Sequence, residues 1–592
     1  MTVFKSIKSD FKPPDMGIQS TEEKPERDPE SIADSSSKNS ADAHASEEDE
    51  NFDASHPESL LKRDLDSRHI QFIALGGSIG TGFFIGSGST LAAGGPAFLM
   101  IGFITMGFMI MTVIYALGEL VSTLPVSGAF SAYATRFIDP AWGFAMGYNY
   151  WFQWVIMLPL ESTACAIVVK FWDPDELVPK GAVVAMFLFV IVVINLFGVR
   201  GYAEFEFVSS LIKLIACVGF IIFAIVVDCG GTPMYIGSEE SFPGPGPNNP
   251  DWHHGYLGAY FWHNPGAIKN GFKGFASVFT VAALAYGGTE LVGIAAAETK
   301  EPRKTLPRAT KQVMSRVLVF YLVTLFMITL TVRSDDDRLI GDSSYDPKTS
   351  PFVIAIQNTG VLALDHIFNA VIVISTLSVG NASVFASSRT LHSLAENGLA
   401  PKIFLRVDRQ GRPYVAVALS LLVGLLGFLV YSSNQGTIFS WLVGITGLAA
   451  IFTWGSICAT HIRFRRAWVK QGNRLSQLPW LSPLGELGSW IGLTFNVLVL
   501  CISFYIGAFP KDEGTMSGMD RAYEFFLEMI SLVVILFLYL TFKIVKRTKI
   551  VRSKDMDLHT GRREQVPEEI LEMERAEERA KPLWKKVLSF LY

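Results

Sequence analysis

The stretch QFIALGGSIGTGFFIGSG, residues 71–88, is apolar enough to enter a bilayer but too rich in glycine to be a plain helix there. Gly76, Gly77, Gly80, Gly82 and Gly86 fall at membrane depth, and each costs about 1 kcal/mol relative to alanine inside a helix. Two physical readings account for them. Small residues let neighbouring helices pack closely. Alternatively, the helix unwinds around Ser78-Ile79-Gly80-Thr81-Gly82, freeing backbone N–H groups at the start of its outer half. Those donors, at the positive end of a helix dipole, suit a carboxylate.

The same signature recurs about 200 residues on, in VAALAYGGTELVG. Gly287 and Gly288 lie mid-span, flanked by Tyr286, Thr289 and Glu290. If ten helices form two inverted halves of five, this sixth segment is the counterpart of the first. A glycine-interrupted pair at matching positions marks a binding site at the bilayer midplane. The halves share no strong sequence similarity, so the repeat rests on position alone.

The rest of the chain fits a membrane-embedded body. Half of its 592 residues are hydrophobic and 18% are charged, against roughly a quarter charged in soluble domains. Mean hydropathy is +0.33. Forty-four Phe and twelve Trp suit apolar spans with aromatic interfaces. A span needs roughly 20 residues, and twelve segments qualify: 70–92, 98–121, 141–171, 180–198, 205–228, 273–296, 312–332, 364–390, 413–431, 438–461, 487–509 and 525–545. Residues 1–60, polar and ending in an acidic run, cannot bury enough apolar surface to fold and read as a disordered tail. The tail from 546 begins basic and continues as an exposed helix over Glu568 to Lys581. The domain plan is therefore a tail over 1–60, a twelve-helix body over 61–546 and a second tail over 547–592.

Charge sets the orientation through the positive-inside rule. Lys300, Arg303, Lys304, Arg308 and Lys311 follow the sixth segment. Arg389, Lys402, Arg406, Arg409 and Arg412 follow the eighth. Arg463, Arg465, Arg466, Lys470 and Arg474 follow the tenth. The opposite loops hold Asp173, Asp175, Glu176, Glu239, Glu240 and Asp335 to Asp337, and the Gly/Pro/Asn/Trp-rich loop over 229–272 has only Lys269. Both termini are thus expected in the cytosol.

The net charge of −5 gives no reason to expect a nucleic-acid partner. The five cysteines fall in or beside apolar segments without CxxC spacing, which reads as small buried hydrophobes rather than a disulfide or zinc framework. The ten histidines lie almost entirely in tails and loops. No HExxH, phosphate-binding loop or Cys/His cluster is present, so neither an enzyme nor a cofactor or metal is expected.

Charge inside a span is costly and faces protein or water. Glu161 (MLPLESTA, third segment), Lys213 (SSLIKLIACVG, fifth) and Glu290 (sixth) are the deep ionisable groups. Glu119, Glu204 and Glu206 lie near the cytosolic boundary, where a structural ion pair or a snorkelling side chain explains them. Burial penalises the charged amine, so Lys213 can alternate between charged and neutral forms and is the leading proton-coupling group. Glu161 can take a proton or meet a substrate amine. Ser378, Asn381, Ser383, Ser387 and Ser388 in the eighth segment either line a cavity or join helices.

LKRDLDSRHIQFIALGGSIGTGFFIGSG, GGPAFLMIGF, ALGELVSTLPVSGAF, INLFGVRGYAEFEF, AYGGTELVGIAAAETKEPRKTLPRATKQV, SPFVIAI, SVGNASVFASSRTL, HIRFRRAWVKQG and DMDLHTGRRE run in order from residue 61 to 564. As a set they resemble the fungal amino-acid permeases of the amino acid–polyamine–organocation superfamily, the general amino-acid permeases in particular. The resemblance implies an all-α integral membrane protein of twelve transmembrane helices. Its fold would be a LeuT-like five-plus-five inverted repeat with two further C-terminal helices, helices one and six being broken. It implies proton symport of L-amino acids by alternating access at the plasma membrane, with endosomal and Golgi pools. Ser78, Ile79, Gly80, Thr81 and Gly82 would then bind the substrate carboxylate, and Tyr286, Gly287 and Gly288 its amino group. Glu161, Lys213 and Glu290 would serve coupling. Lys5, Lys8 and Lys12 would be ubiquitin acceptors for ligase-driven endocytosis, and lipid would surround the body. A narrow-range permease for basic amino acids or proline, and an amino-acid receptor on a permease scaffold, are the alternatives.

Overall fold

A computed structural model describes residues 65, 67–175, 177–231, 256–339, 350–361, 363–431, 435–509, 517–562 and 567–582. The N-terminal tail expected over 1–60, with Lys5, Lys8 and Lys12, lies outside them, as does most of the loop over 229–272. Among the described residues every regular element is helical, apart from a single bridge between Leu65 and Thr299.

The chain enters through α1 (Ser67–Ser78), a short α2 (Thr81–Phe84) and α3 (Gly86–Thr123). Gly95 takes φ +79° inside α3 and turns the chain there. The groups this exposes are met by residues 267–269: Ala97 N–H donates to Ala267 O at 2.9 Å and Lys269 N–H to Gly94 O at 3.0 Å. This turn separates the first two segments read from the sequence. Next come α4 (Ala129–Phe137), α5 (Pro140–Val169), α6 (Lys180–Leu196) and α7 (Gly198–Asp228). The second interrupted segment is α8 (Gly271–Tyr286) and α9 (Leu291–Ala295). After it come α10 (Pro302–Thr331), α11 (Pro351–Gln357), α12 (Leu364–Glu396), α13 (Tyr414–Gly424), α14 (Gln435–Lys470), α15 (Gly485–Ala508), α16 (Gly518–Glu528), α17 (Ile530–Lys546) and α18 (Glu568–Ala580).

Nine helical stretches among the described residues are long and apolar enough to cross a membrane. The other three segments of the sequence reading fall short for visible reasons. The first is split into α1 and α2. α6 and α17 have 17 residues each, about 25 Å of helix against a hydrocarbon core of about 30 Å.

α12 runs along α5, and α8 along α3, at the centre of the bundle. Lipid is as apolar as leucine, so close packing and hydrogen bonds hold such helices together. Trp154, Trp454, Tyr150, Tyr286 and Tyr321 are fully buried there.

Both ends of the described chain lie at one face. Leu65 N–H donates to Glu298 O at 3.2 Å, and Arg389 Nε pairs with Glu298 at 3.0 Å. Beyond α17 the chain is packed down rather than free. Arg136 donates to Thr560 O at 2.7 Å and Gln471 to Met556 O at 2.9 Å, while Met556 and Leu558 are buried. The helix expected over Glu568 to Lys581 is α18. It is mostly exposed, with Leu571 buried and Glu574 paired to Arg303 at 2.9 Å.

Three expectations are corrected. Cys165, Cys217 and Cys458 are buried, but Cys229, just past the end of α7, and Cys501, on an outward face of α15, are exposed. His392 and His461 are not loop residues but fully buried helix residues. His461 Nε2 sits 3.1 Å from Glu119, which also takes a double hydrogen bond from Arg465 at 2.6 and 2.5 Å. Glu204 and Glu206 do not share an environment. Glu204 is half-exposed and paired with Arg68 at 2.9 Å, whereas Glu206, two residues on, faces inward and is fully buried.

Candidate functional site

The two glycine clusters meet at the centre of the bundle. α1 ends at Ser78, Gly80 is extended (φ −140°, ψ −152°), and α2 restarts at Thr81. α8 ends at Tyr286, and Gly288 takes φ +95° before α9 begins at Leu291. A Cβ on Gly288 would lie 2.5 Å from the carbonyl carbon and oxygen of Gly77. One on Gly82 would lie 2.8 Å from the backbone nitrogen of Ala285. Backbone therefore touches backbone in both directions, and only glycine leaves room.

A helix end in an apolar interior must find partners for its orphan carbonyls. For α1 they come from other helices. Lys213 Nζ of α7 donates to Gly76 O at 2.7 Å, and Ser375 Oγ of α12 to Ile79 O at 2.7 Å. The Tyr321 hydroxyl of α10 lies 2.8 Å from both Ser78 O and Ala285 O, so it spans the two broken ends. On the far side of the gap, Phe83 and Phe84 N–H donate to Gly80 O at 3.1 and 3.0 Å. The amides of Thr81 and Gly82, at the head of this turn, precede the first intrahelical bond.

The other break is held largely from within. Gly288 N–H donates to both carboxylate oxygens of Glu290 at 3.3 and 3.2 Å, and Thr289 Oγ to Tyr286 O at 3.0 Å. Glu290 also accepts from Trp454 Nε1 at 3.3 Å and from Tyr150 at 3.5 Å. The Tyr286 hydroxyl donates to Phe103 O at 3.0 Å.

Glu161 on α5 accepts a hydrogen bond from Thr81 Oγ through one oxygen. Its other oxygen, Oε1, is buried without a partner. Beside the second break is a small cavity with room for about one water, lined by Gln153, Trp154 and Met157 of α5, Ala283, Leu284 and Gly287, and Thr446 and Ala450 of α14. Gln153 Oε1 is likewise buried and unpaired.

The residues singled out in the sequence thus converge around Ser78–Gly82 and Tyr286–Gly288, with Glu161 and Lys213 on either side of the first break. The sequence reading passed over Gln153, Thr446, Tyr321 and Ser375, isolated polar groups with no local pattern. It set Glu206 down as a boundary residue, although its seven-residue spacing from Lys213 puts both on one helix face. Ser378 bonds Lys213 and Glu206, while Ser383 and Ser388 turn back to carbonyls of their own helix and Ser387 also reaches Ser420. Among the described residues no group of three or more His, Cys, Asp or Glu side chains could hold a metal.

Comparison with known proteins agrees with this architecture. A mutant form of the manganese transporter of Eremococcus coleocola superimposes with a TM-score of 0.50 at 13% identity, covering 82% of this chain and 94% of that one. At that identity the likeness concerns the fold alone. The chain is 44% identical to the general amino-acid permease GAP1 of Saccharomyces cerevisiae over 90% of its own length and 86% of the relative's. It is 46% identical to the general amino-acid permease GAP2 of Candida albicans, over 88% and 85%. These relatives are transporters, not enzymes. The family model for amino acid permeases matches residues 69–554, and the chain therefore belongs to the amino acid permease family.

Proposed function

We propose that this chain imports L-amino acids across the plasma membrane in symport with protons, by alternating access around the two abutting helix breaks. The observation that carries this reading is the contact of Gly288 with Gly77, which sets two interrupted helices edge to edge beside a small cavity. An α-amino acid is a zwitterion of fixed spacing. Its carboxylate fits the amides at Thr81 and Gly82, where the helix dipole adds to the attraction. Its ammonium fits the carbonyls around Tyr286 and Gly287 and the unpaired oxygen of Glu161. The side chain would enter the cavity, where Gln153 and Thr446 offer polar contacts and Met157, Leu284 and Ala450 apolar ones. In the described state this cavity is too small for a side chain and must widen to admit one.

In this reading α1, α2 and the start of α3 form one broken spanning helix, and α8 with α9 another. With α6 and α17 counted as spans the total is twelve, five plus five plus two. The basic loops face the cytosol together with both termini in this reading, so the face bearing Leu65 and the chain beyond α17 is the inner one, and lipid surrounds the rest. Lys213, bonded to the carbonyl end of the first break, carries the proton, and Glu161 answers to it from the substrate side. Glu290 has its acceptors filled by Gly288, Trp454 and Tyr150, which favours holding the break over carrying a proton. A membrane potential of 100 mV adds about 2.3 kcal/mol per charge moved inward. Lys5, Lys8 and Lys12 are proposed ubiquitin acceptors.

The test is uptake of labelled amino acids by cells expressing the chain, with all protein amino acids as competitors. A Cβ at Gly80 would meet Val379 at 2.6 Å and Glu161 Oε1 at 3.3 Å, so Gly80→Val should abolish binding in protein that still reaches the surface. Unchanged affinity would remove the first break from the binding site.

A further inference from the structure

The hydrogen bonds around Lys213 do not stop at the helix break. Lys213 Nζ donates to Ser378 Oγ at 2.8 Å, and Ser378 Oγ donates to Glu206 Oε2 at 2.7 Å. All three side chains are fully buried. Glu206 Oε1 is buried without a hydrogen-bond partner. Glu206 precedes Lys213 by two turns on the same face of α7. Long helix side chains lean towards the helix N-terminus, so the amine reaches back towards this carboxylate. Lys213 thus stands in the field of two acids, Glu161 on the side of the breaks and Glu206 on the other.

We infer that Glu206 is the second station of the transported proton, receiving it from Lys213 through the Ser378 hydroxyl and passing it towards the face that bears Leu65 and the chain beyond α17. This rests on the proton-symport reading above. In the step, an N–H bond of the Lys213 ammonium breaks as Ser378 Oγ takes the proton. The O–H bond of Ser378 breaks as its own proton goes to Glu206 Oε2. A neutral amine, a restored hydroxyl and a neutral carboxyl remain, and no other reactant is needed. The reverse order recharges the pair.

The surroundings of Glu206 suit release. Asn381 of α12 and Tyr202 of α7 face it. Asn195 Nδ2 donates to Asn381 Oδ1 at 2.9 Å, and Asn195 is half-buried in the last turn of α6. A polar file therefore runs from Lys213 to the end of α6. Arg389 and Glu298 lie beyond Tyr202 and pair with each other. The backbone of Gly76 closes the remaining side: a Cβ there would fall 2.3 Å from Glu206 Oε2.

The test uses the full chain in proteoliposomes with entrapped pyranine and the labelled amino acid ranked first by competition. Removing a proton-transfer group should cost about 100-fold in accumulation driven by a pH gradient and in the pyranine signal for Glu206→Gln, while substrate exchange without a gradient falls far less. Glu206→Asp should recover part of the accumulation. Ser378→Ala should follow Glu206→Gln, and Ser378→Thr, which keeps the hydroxyl, should not. Wild-type accumulation in Glu206→Gln would overturn the inference. So would equal loss of exchange and accumulation in both Glu206→Gln and Glu206→Asp, which is the mark of a purely structural acid. If the unmodified chain exchanges substrate but builds no gradient-driven accumulation, proton symport itself falls, and this inference with it.

Discussion

The two helix breaks look alike in sequence and are held in different ways. The second, at Tyr286–Glu290, is held largely from within: Glu290 accepts from Gly288 two residues back and Thr289 bonds the carbonyl of Tyr286, with Trp454, Tyr150 and Tyr321 adding bonds from outside. The first, at Ser78–Gly80, borrows its partners from α7, α10 and α12 through Lys213, Tyr321 and Ser375. A self-capped break keeps its shape while its neighbours shift. A break capped from outside changes whenever a capping helix moves, so it is the place where motion elsewhere can reach the substrate. In a protein proposed to alternate between two faces, the first break is the reporter and the second the pivot.

This contrast can be broken or sharpened by substitution. The largest effect is expected at the pivot. Gly288→Ala forces a left-handed backbone on alanine and drives its Cβ into Gly77; about 3 kcal/mol of strain corresponds to roughly 100-fold loss of transport. Thermal unfolding of the purified variant should show the destabilisation directly. Wild-type melting and transport would mean that the breaks do not touch as described.

Next in size is Lys213→Ala, far from the first break in sequence. Leaving Gly76 O bare costs about 1–3 kcal/mol, and the coupling amine goes with it. Acid-stimulated uptake should vanish while surface expression persists. Stimulation of the normal size would end the coupling role.

Glu290→Gln should cost about 1–2 kcal/mol through a weakened anchor for Gly288. Its uptake should fall about ten-fold with the pH profile of transport unmoved. A shifted profile would make Glu290 a proton carrier and undo the distinction drawn here.

The smallest effect belongs to Tyr321→Phe, which removes one hydroxyl shared by Ser78 O and Ala285 O at a cost of about 1 kcal/mol. Half-saturation for substrate should rise about five-fold. Combined with Gly288→Ala, its effect should not add, because both act where the two breaks meet.

The spanning segments and the positions of the breaks were readable in the chain because hydropathy and glycine content are local properties. The two 17-residue helices show the limit: apolar length alone does not say whether α6 and α17 cross. Glu161 and Lys213 were legible as costly charges in apolar surroundings. Glu206 was set down as a boundary residue beside Glu204, since neighbours in sequence share a depth but not a helix face. The exposed C-terminal helix was legible, but the docking of the segment before it was not, because that depends on groups such as Arg136 and Gln471 more than eighty residues away.

By itself, the amino-acid sequence determined that the chain is apolar and helical, where its helices lose their hydrogen bonds, and that Glu161, Lys213 and Glu290 are buried deep. Each follows from composition within a few turns. Tertiary structure alone decided that the breaks face each other, that Tyr321 bridges them and that Ser378 links Lys213 to Glu206. These contacts join residues 36 to 243 positions apart, and no local pattern encodes which orphan carbonyl a distant side chain will satisfy.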